Sequence, residues 1–421
     1  MAIVFSYRFL DRILYRIRYF ICRWILRRRP ICFLLILIIF LIIFTAYMTI
    51  ISYSQCSFLE VENAVHTICD KYQNQEALGN LCADLCESNN LKPNSCLPNH
   101  LGKDVVFQAT YFGNHVVMKS SKLNSEDFDQ IYYINEEGIK VHPSIATFYS
   151  MIANTVQSEL HVNISSLNDK SLEVLSKLWT RNLKKFSLLP TTVQNVAMSN
   201  IWFLVQQTEY LLMKYYEDLN IFPKILGTCG PFYVVEFIQP LNNFFIMFYP
   251  SWKEDFIERA ALALKILNFL EETERHFPFL HFCDVKVGHF GLNKNGEVKL
   301  LDMDMVFFEE SLIRNINAIQ NCTKNQDCSF IDCQGSCDIV SKTCEAKVID
   351  NNFQRVCRNI LTGKLVKSYF GLLSSPPRSI YKELYNLLKE CSEVLDDKSA
   401  HILASHLKNL LVLYVQKGLT Y

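Results

Sequence analysis

The sequence predicts an α+β fold in which a sheet-rich lobe precedes a helical lobe, carried behind one membrane-spanning helix and a disulfide-rich stem. Three observations predict it. Residues 31–53 are apolar and uncharged, cysteines concentrate in two groups beyond that stretch, and short β-prone runs come before longer helical patterns. Strands followed by helices along the chain are typical of an α+β arrangement.

The composition indicates a folded chain that does not bind nucleic acid. Of 421 residues, half are apolar and a fifth are charged, which excludes a disordered or collagen-like protein. The formal net charge is zero, so we expect no nucleic-acid partner. The charge is nevertheless segregated, because residues 1–30 carry a net +7 and the remainder a net −7.

Residues 31–53 are predicted to be a signal anchor. The stretch has 23 residues, and about 20 apolar residues suffice to cross the roughly 30 Å hydrocarbon layer. A buried core helix is an alternative, and a cleaved signal peptide fits less well because no clear small-residue cleavage site follows. Eight arginines in residues 1–30 predict a basic cytosolic tail. The protein is then a single-pass type II membrane protein with most of the chain lumenal or extracellular.

The cysteines favour disulfides in an oxidising compartment. Zinc is the alternative, but the second group lacks both close CxxC pairs and neighbouring histidines. Asn163 and Asn321 head glycosylation triplets, which are compatible with a lumenal location. The candidate disulfide cysteines are Cys56, Cys69, Cys82, Cys86 and Cys96 in a stem at 54–100, and Cys322, Cys328, Cys333, Cys337, Cys344 and Cys357 in a later group.

Beyond the stem, local patterns predict strands first and helices later. Tyr111 to Asn114 supplies turn chemistry between the first two β-prone runs, and the Asn293 to Gly296 turn predicts another hairpin. Asn220 and Pro223 are expected to end a helix. The β-prone runs are 104–109, 115–119, 224–227 and 232–238, and helical periodicity covers 201–216, 253–276 and 379–417.

Residues 280–305 hold the candidate catalytic groups. Asp284 and Lys286 lie in a loop after the long helix, and a hairpin then delivers Asp302 and Asp304. In phosphoryl transfer one carboxylate orients the attacking hydroxyl, a lysine neutralises the moving group and another carboxylate holds a divalent metal. These residue types in this order therefore predict phosphotransferase chemistry.

The same stretch resembles protein kinases. Asp284-Val-Lys286 is similar to the D-L-K of the kinase catalytic loop, and Val298 to Asp302 is similar to the strand that leads into D-F-G. The spacing of 18 residues between the two aspartates is also that of kinases. The resemblance implies that Asp284 is the catalytic base, that Lys286 steadies the transferred group and that Asp302 holds the metal.

The upstream sequence resembles the kinase nucleotide site in the same order. Val116-Val-Met-Lys119 is similar to V-A-I-K, whose lysine binds the nucleotide phosphates. Glu209 has the position of the glutamate that pairs with this lysine, and Glu236 ends a strand that leads into the adenine-binding hinge. An ordinary structural ion pair is the alternative reading of Lys119 and Glu209.

A narrower resemblance, to the divergent protein kinase domain family 1, covers nearly the whole chain. It includes the anchor, the stem, the run from Glu209 to Glu236 and the cysteine-rich insert after Asp304. It implies residence in the endoplasmic reticulum membrane, a small lobe at 101–240, a large lobe at 241–421 and a cysteine-rich insert at 322–357. It also implies an EF-hand within a small-lobe insert at about 120–200. That insert lacks the D-x-D-x-D-G carboxylates, so we expect a degenerate EF-hand and no calcium.

Four departures from the kinase pattern bear on activity. No G-x-G-x-x-G precedes Val116, and Phe282 and Cys283 replace the usual His-Arg before the aspartate. His289 stands where kinases have a metal-binding asparagine, so one metal site is expected to be altered. Asp304 replaces the D-F-G glycine, either as an extra metal ligand or as a solvated turn acid.

Three functions are therefore considered. The first is a secretory-pathway kinase that uses ATP with Mg²⁺ or Mn²⁺ on a lumenal protein or glycan hydroxyl. The second is a pseudokinase that serves as a lumenal binding or scaffold module. The third is a glycosyltransferase with Asp302-Met-Asp304 as its D-x-D metal site, although no alternation of strands and helices precedes it.

Overall fold

The computed structural model describes residues 37–42, 44–45, 58–96, 105–120, 131–162, 169–179, 189–241, 254–362, 371–393 and 396–418. The predicted tail at 1–30, most of the predicted anchor, Cys56 and Asn163 lie outside these residues. Residues 37–42 and 44–45 are helical. Within the described ranges, no helix combines the length and the apolar character needed to cross a membrane.

The described strands form several antiparallel sheets, of which the largest has the order β1-β2-β3-β7-β6. The strands are β1 (Leu91–Cys96), β2 (Val105–Tyr111), β3 (Asn114–Ser120), β4 (Tyr133–Ile134), β5 (Lys140–Val141), β6 (Ile225–Cys229), β7 (Phe232–Glu236), β8 (Gln239–Pro240), β9 (Leu280–Phe282), β10 (Phe290–Leu292), β11 (Val298–Leu300), β12 (Val306–Phe308), β13 (Ser329–Phe330), β14 (Cys333–Asp338) and β15 (Thr343–Val348).

Beyond residue 45, the described residues form eleven α-helices. They are α1 (Phe58–Gln73), α2 (Cys82–Cys86), α3 (Ile145–Leu160), α4 (Asp169–Leu178), α5 (Thr191–Val205), α6 (Thr208–Tyr215), α7 (Glu254–His276), α8 (Glu309–Asn317), α9 (Asn352–Val356), α10 (Tyr381–Cys391) and α11 (Asp397–Gly418).

The β2–β3 hairpin places Lys119 on the inner face of the sheet. Its turn residues Phe112 and Gly113 have φ angles of 46° and 80°, as a two-residue turn matched to the strand twist requires. Along β3, Val116 and Met118 are buried against the stem helices. Lys119 points to the opposite face because neighbouring side chains of a strand alternate.

The segment predicted as a stem at 54–100 packs onto the sheet of the predicted small lobe. Strand β1, which lies in the predicted stem, pairs with β2 and forms an edge of the small-lobe sheet. Helix α1 packs its apolar residues, such as Val61 and Ile68, into the same core as Phe107 and Met118 of the sheet. A disulfide between Cys82 and Cys229 also joins helix α2 to β6. The cysteine-rich segment is therefore an integral layer of the small lobe.

The region at 120–200 is largely helical where it is described. Helices α3, α4 and α5 contribute buried residues to the main hydrophobic core. The candidate EF-hand loop, at 179–193, includes residues 180–188, which lie outside the described residues. The single helix predicted at 201–216 is instead broken between α5 and α6, where Gln207 is extended and its side-chain amide donates to the carbonyl of Pro231.

The cysteine-rich insert packs against the helical lobe. Strands β13, β14 and β15 form a small sheet, and two disulfides, Cys322–Cys337 and Cys328–Cys344, lie inside it. Three isolated cysteines outside the predicted candidates also form disulfides, each with a predicted candidate. The pairs are Cys82–Cys229, Cys283–Cys333 and Cys357–Cys391. Cys69 pairs with Cys86. The described chain is thus disulfide-rich.

Candidate active site

Lys119 links three distant segments beneath the sheet. Its ammonium donates to the Glu209 carboxylate at the start of α6 and to the carbonyl of Leu301, at a distance of 3.2 Å. The side chains of Lys119 and Glu209 are only 15% and 10% exposed, so little solvent screens their interaction. Leu301 immediately precedes Asp302, and the lysine therefore lies one residue from the candidate metal ligand.

Asp284 and Lys286 lie in the loop between β9 and a 3₁₀ turn at Val287–His289. The Lys286 ammonium lies 2.8 Å from an Asp284 carboxylate oxygen. Asp284 is mostly shielded, whereas the Lys286 side chain is 61% exposed. The Lys286 ammonium is therefore largely accessible to solvent while it pairs with Asp284.

His289 connects the two aspartates. Its Nδ1 lies 2.9 Å from the carbonyl oxygen of Asp284, and its Nε2 lies 3.4 Å from a carboxylate oxygen of Asp302. A carbonyl oxygen can only accept, so Nδ1 carries a proton in that bond. In neutral histidine the Nε2 lone pair then faces the carboxylate. This nitrogen and the Asp302 oxygen are the two atoms that the pair could offer to a metal ion.

The residues present fit a divalent metal bound together with nucleotide phosphates. Asp302 offers an oxygen and His289 a nitrogen, and Mg²⁺ in phosphoryl-transfer sites commonly takes one or two carboxylates plus phosphate and water. They do not form a closed metal cage. Among the described residues, one group of three His, Cys, Asp or Glu side chains has its ligand atoms within 4.8 Å of one another. The group is Cys322, Cys328 and Cys337, whose sulfurs are in disulfides.

Asp304 and Glu236, the other two residues predicted to bind metal or nucleotide, have different surroundings. The backbone N–H of Asp304 donates to the Asp302 carboxylate at 3.3 Å, so the turn between them is compact. Glu236 ends β7, and its carboxylate accepts from the backbone N–H of Lys224 at 2.9 Å. The backbone N–H of Glu236 donates to the carbonyl oxygen of Lys224. Its side chain and N–H are therefore occupied by Lys224.

The catalytic loop has anchors that sequence reasoning missed. Cys283 forms a disulfide with Cys333, and the Asp332 carboxylate accepts from the backbone N–H of Val285 at 2.7 Å. Asn352 accepts from the Phe282 N–H at 2.8 Å. Phe282 itself is buried in the main core. The only sign of such contacts in the sequence is that the isolated cysteines Cys229, Cys283 and Cys391 are odd in number, so at least one must pair with another group. Cysteine spacing does not assign the partners.

A lysine–glutamate pair beneath an antiparallel sheet, facing two aspartates and a lysine on the helical lobe, defines a protein-kinase-like domain. Residues 201–394 match the family described as "Protein-kinase domain of FAM69", and residues 22–173 match "N-term cysteine-rich ER, FAM69". The chain belongs to the FAM69 family of divergent protein-kinase-like proteins, which confirms the resemblance seen in the sequence.

A curated relative agrees with this assignment. The chain is similar to Divergent protein kinase domain 2B of Mus musculus, with 27% identity over 177 residues. The match covers 41% of this chain and 36% of the mouse protein.

Proposed function

We propose that this chain is a metal-dependent phosphotransferase of the endoplasmic reticulum lumen. It transfers the terminal phosphoryl group of ATP to a hydroxyl of a lumenal protein or glycan. The observation that carries the proposal is that a chain of contacts connects Lys119, Glu209, Asp284 and Asp302. His289 bridges the two aspartates, and Lys119 contacts the residue before the second.

Each side chain has a defined task in this proposal. Asp284 accepts the proton of the attacking hydroxyl, and Lys286 stabilises negative charge on the transferred group. Lys119, held by Glu209, binds the nucleotide phosphates. Asp302 and His289 would hold Mg²⁺ or Mn²⁺, which neutralises phosphate charge. The adenine-binding role of Glu236 would use neither its side chain nor its N–H, since both contact Lys224.

Three features support the lumenal location. Six disulfides among the described residues suit an oxidising compartment. The uncharged stretch at 31–53 follows an arginine-rich tail, as in a type II anchor. The cysteine-rich family description names the endoplasmic reticulum. Asn321, exposed and next to the Cys322 disulfide, is the described candidate for glycosylation.

A catalytically inactive pseudokinase is the second candidate, favoured by one observation. His289 replaces an oxygen ligand with an imidazole whose Nδ1 is bound to the Asp284 carbonyl. A glycosyltransferase is disfavoured because the sheet above Asp302 and Asp304 is antiparallel throughout its described strands.

Phosphotransfer from γ-labelled ATP tests the proposal. Purified full-length protein is assayed with Mg²⁺ or Mn²⁺ against a lumenal protein extract and against glycoproteins. We expect Asp284→Asn to abolish labelling, whereas Asp338→Asn, a substitution at the end of β14 in the insert, leaves it intact. Equal labelling by wild type and Asp284→Asn, or nucleotide binding without any transfer, supports the pseudokinase instead.

A further inference from the structure

We infer that Asp332 and the Cys283–Cys333 disulfide, which join the cysteine-rich insert to the loop of Asp284, position this aspartate. Together, Cys283, Val285, Asp332 and Cys333 are called the insert brace below. The inference rests on the proposed function, since it concerns how the proposed catalytic base is held.

The insert brace grips the loop on both sides of Asp284. The backbone N–H of Asp332 donates to the carbonyl of Cys283 at 2.8 Å. The backbone N–H of Val285 donates to the Asp332 carboxylate at 2.7 Å. One residue from the insert, 47 positions further along the chain, thus fixes the peptide groups that flank the aspartate. The adjacent disulfide between Cys283 and Cys333 makes the same junction covalent.

Asp332 is itself held by a buried charge network. Arg358 donates to the carbonyl oxygen of Asp332 at 3.2 Å and forms an ion pair with Asp350. Asp350 also accepts from Arg355 at 2.7 Å, and both of these side chains are fully buried. A buried ion pair with several hydrogen bonds is rigid because breaking it leaves an unpaired charge out of water. The network therefore transmits the rigidity of the helical lobe to the insert brace.

The insert brace takes the place of the contact between an arginine and an activation-loop phosphate that kinases commonly have. Cys283 occupies the position before the catalytic aspartate where kinases commonly have an arginine that binds an activation-loop phosphate. Here that position is joined covalently to the insert, which follows Asp302 in the chain. The catalytic loop is then ordered by folding and disulfide formation, without phosphorylation of a neighbouring segment.

Steady-state kinetics on the full-length protein test the insert brace. Asp332→Ala removes the acceptor for the Val285 N–H, so we expect kcat to fall about 10- to 100-fold, as a small misplacement of a catalytic group does. We expect the KM for ATP to change less than about twofold, because Asp332 has no contact with the nucleotide site. Asp332→Asn keeps a side-chain oxygen acceptor and should restore most of kcat. Asp338→Ala is the matched control, since Asp338 caps a turn of the same insert through Val340 and Ser341.

Hydrogen exchange separates this inference from the proposed function. Amides of residues 283–286 should exchange faster in Asp332→Ala than in wild type, Asp332→Asn or Asp338→Ala. If wild type transfers no phosphate, the proposed function fails, and this exchange alone decides whether the insert brace orders the loop. Should Asp332→Ala fail to fold, Asp332→Glu, which displaces the carboxylate by one methylene, replaces it in both assays. Wild-type kcat and unchanged exchange in the variant that folds would overturn the inference.

Discussion

Lys119 donates a hydrogen bond to the carboxylate of Glu209 although the two residues are 90 positions apart. The same ammonium bonds the Leu301 carbonyl, 182 positions away. The pair therefore joins the small-lobe sheet and helix α6 to the strand end that delivers Asp302. A structural ion pair needs only the first contact. The second places the positive charge where nucleotide phosphates would meet the metal ligand.

The first prediction concerns this lysine. We expect ATP with Mn²⁺ to raise the thermal midpoint of the wild type, and Lys119→Met to lack this increase. The substitution should also cost about 1–3 kcal/mol of stability, because the shielded Glu209 carboxylate loses its partner. Thermal shift with and without nucleotide measures both effects. Lys214→Met is the matched control, because Lys214 lies on helix α6 with Glu209 but pairs with Glu217. This variant should keep the nucleotide response. A full ATP response in Lys119→Met would refute the phosphate-binding role.

The second prediction concerns metal choice. His289 presents Nε2 towards the Asp302 carboxylate, and an imidazole nitrogen is a better ligand for Mn²⁺ than for the hard ion Mg²⁺. We expect wild type with ATP to be stabilised more by Mn²⁺ than by Mg²⁺. His289→Asn, which restores an amide oxygen, should reduce that difference.

Electron-spin-echo spectroscopy provides a readout that does not depend on turnover. The Mn²⁺–ATP complex of wild type should show coupling to a directly bound nitrogen, and His289→Asn should lose it. His401→Asn, on helix α11 and paired with Glu274, serves as the histidine control. A nitrogen signal that persists in His289→Asn would exclude this residue as the ligand.

The sequence predicted the parts of the site that local patterns specify. The β2–β3 hairpin follows from strand alternation and a two-residue turn, and the hairpin before Asp302 follows from the Asn293 to Gly296 turn. Both are local, so neighbouring residues determine them. The motifs around Lys119, Asp284 and Asp302 were predicted from their resemblance to kinase motifs, and contacts through Leu301 and His289 connect them in the structure.

The missed features all depend on contacts between distant segments. Strand β1 contains Pro93 and Asn94, which disfavour strands, yet it pairs with β2 across the lobe. The break before α6 depends on the bond from Gln207 to the Pro231 carbonyl. Cys283 has 13 other cysteines beyond the apolar stretch as formal partners, and nothing in its neighbourhood selects Cys333.

The third prediction tests the joint between the cysteine-rich segment and the sheet. A Cβ at Gly79 would lie 2.0 Å from the carbonyl oxygen of Thr228 on β6. Two hydrogen bonds fix this approach, from the Leu81 N–H to Thr228 and from the Thr228 N–H to the Asn80 side chain. Gly79→Ala should therefore cost at least about 1–3 kcal/mol, the usual range for overpacking. Gly288→Ala is the control, because a Cβ there meets no atom within 4 Å. Equal thermal midpoints for the two variants would contradict the predicted close packing.

The fourth prediction is a pH dependence of stability that originates at His281. Burial, together with the neighbouring Arg355 guanidinium, lowers the pKa of His281 from 6.5 to about 3, and Asp350 opposes this only partly. Above about pH 6.5 the residue is neutral in both the folded and the unfolded chain, so its contribution to stability is fully present. Between 6.5 and 3 the unfolded chain binds a proton that the folded chain does not. Stability therefore falls as the pH falls through this window, by up to about 1.4 kcal/mol per pH unit.

His281→Gln isolates this term, because glutamine keeps an acceptor near Arg355 but does not titrate. The unfolding free energy of the full-length protein is measured by chemical denaturation from about pH 7 to about pH 5. It should fall less steeply in His281→Gln than in wild type, and the difference in slope should approach the uptake of one proton on unfolding. His401→Gln changes an exposed histidine and should keep the wild-type slope. Parallel curves for wild type and His281→Gln would mean that His281 is protonated in the folded protein. The contact between His281 on β9 and Arg355 would then tolerate a positive charge on both side chains.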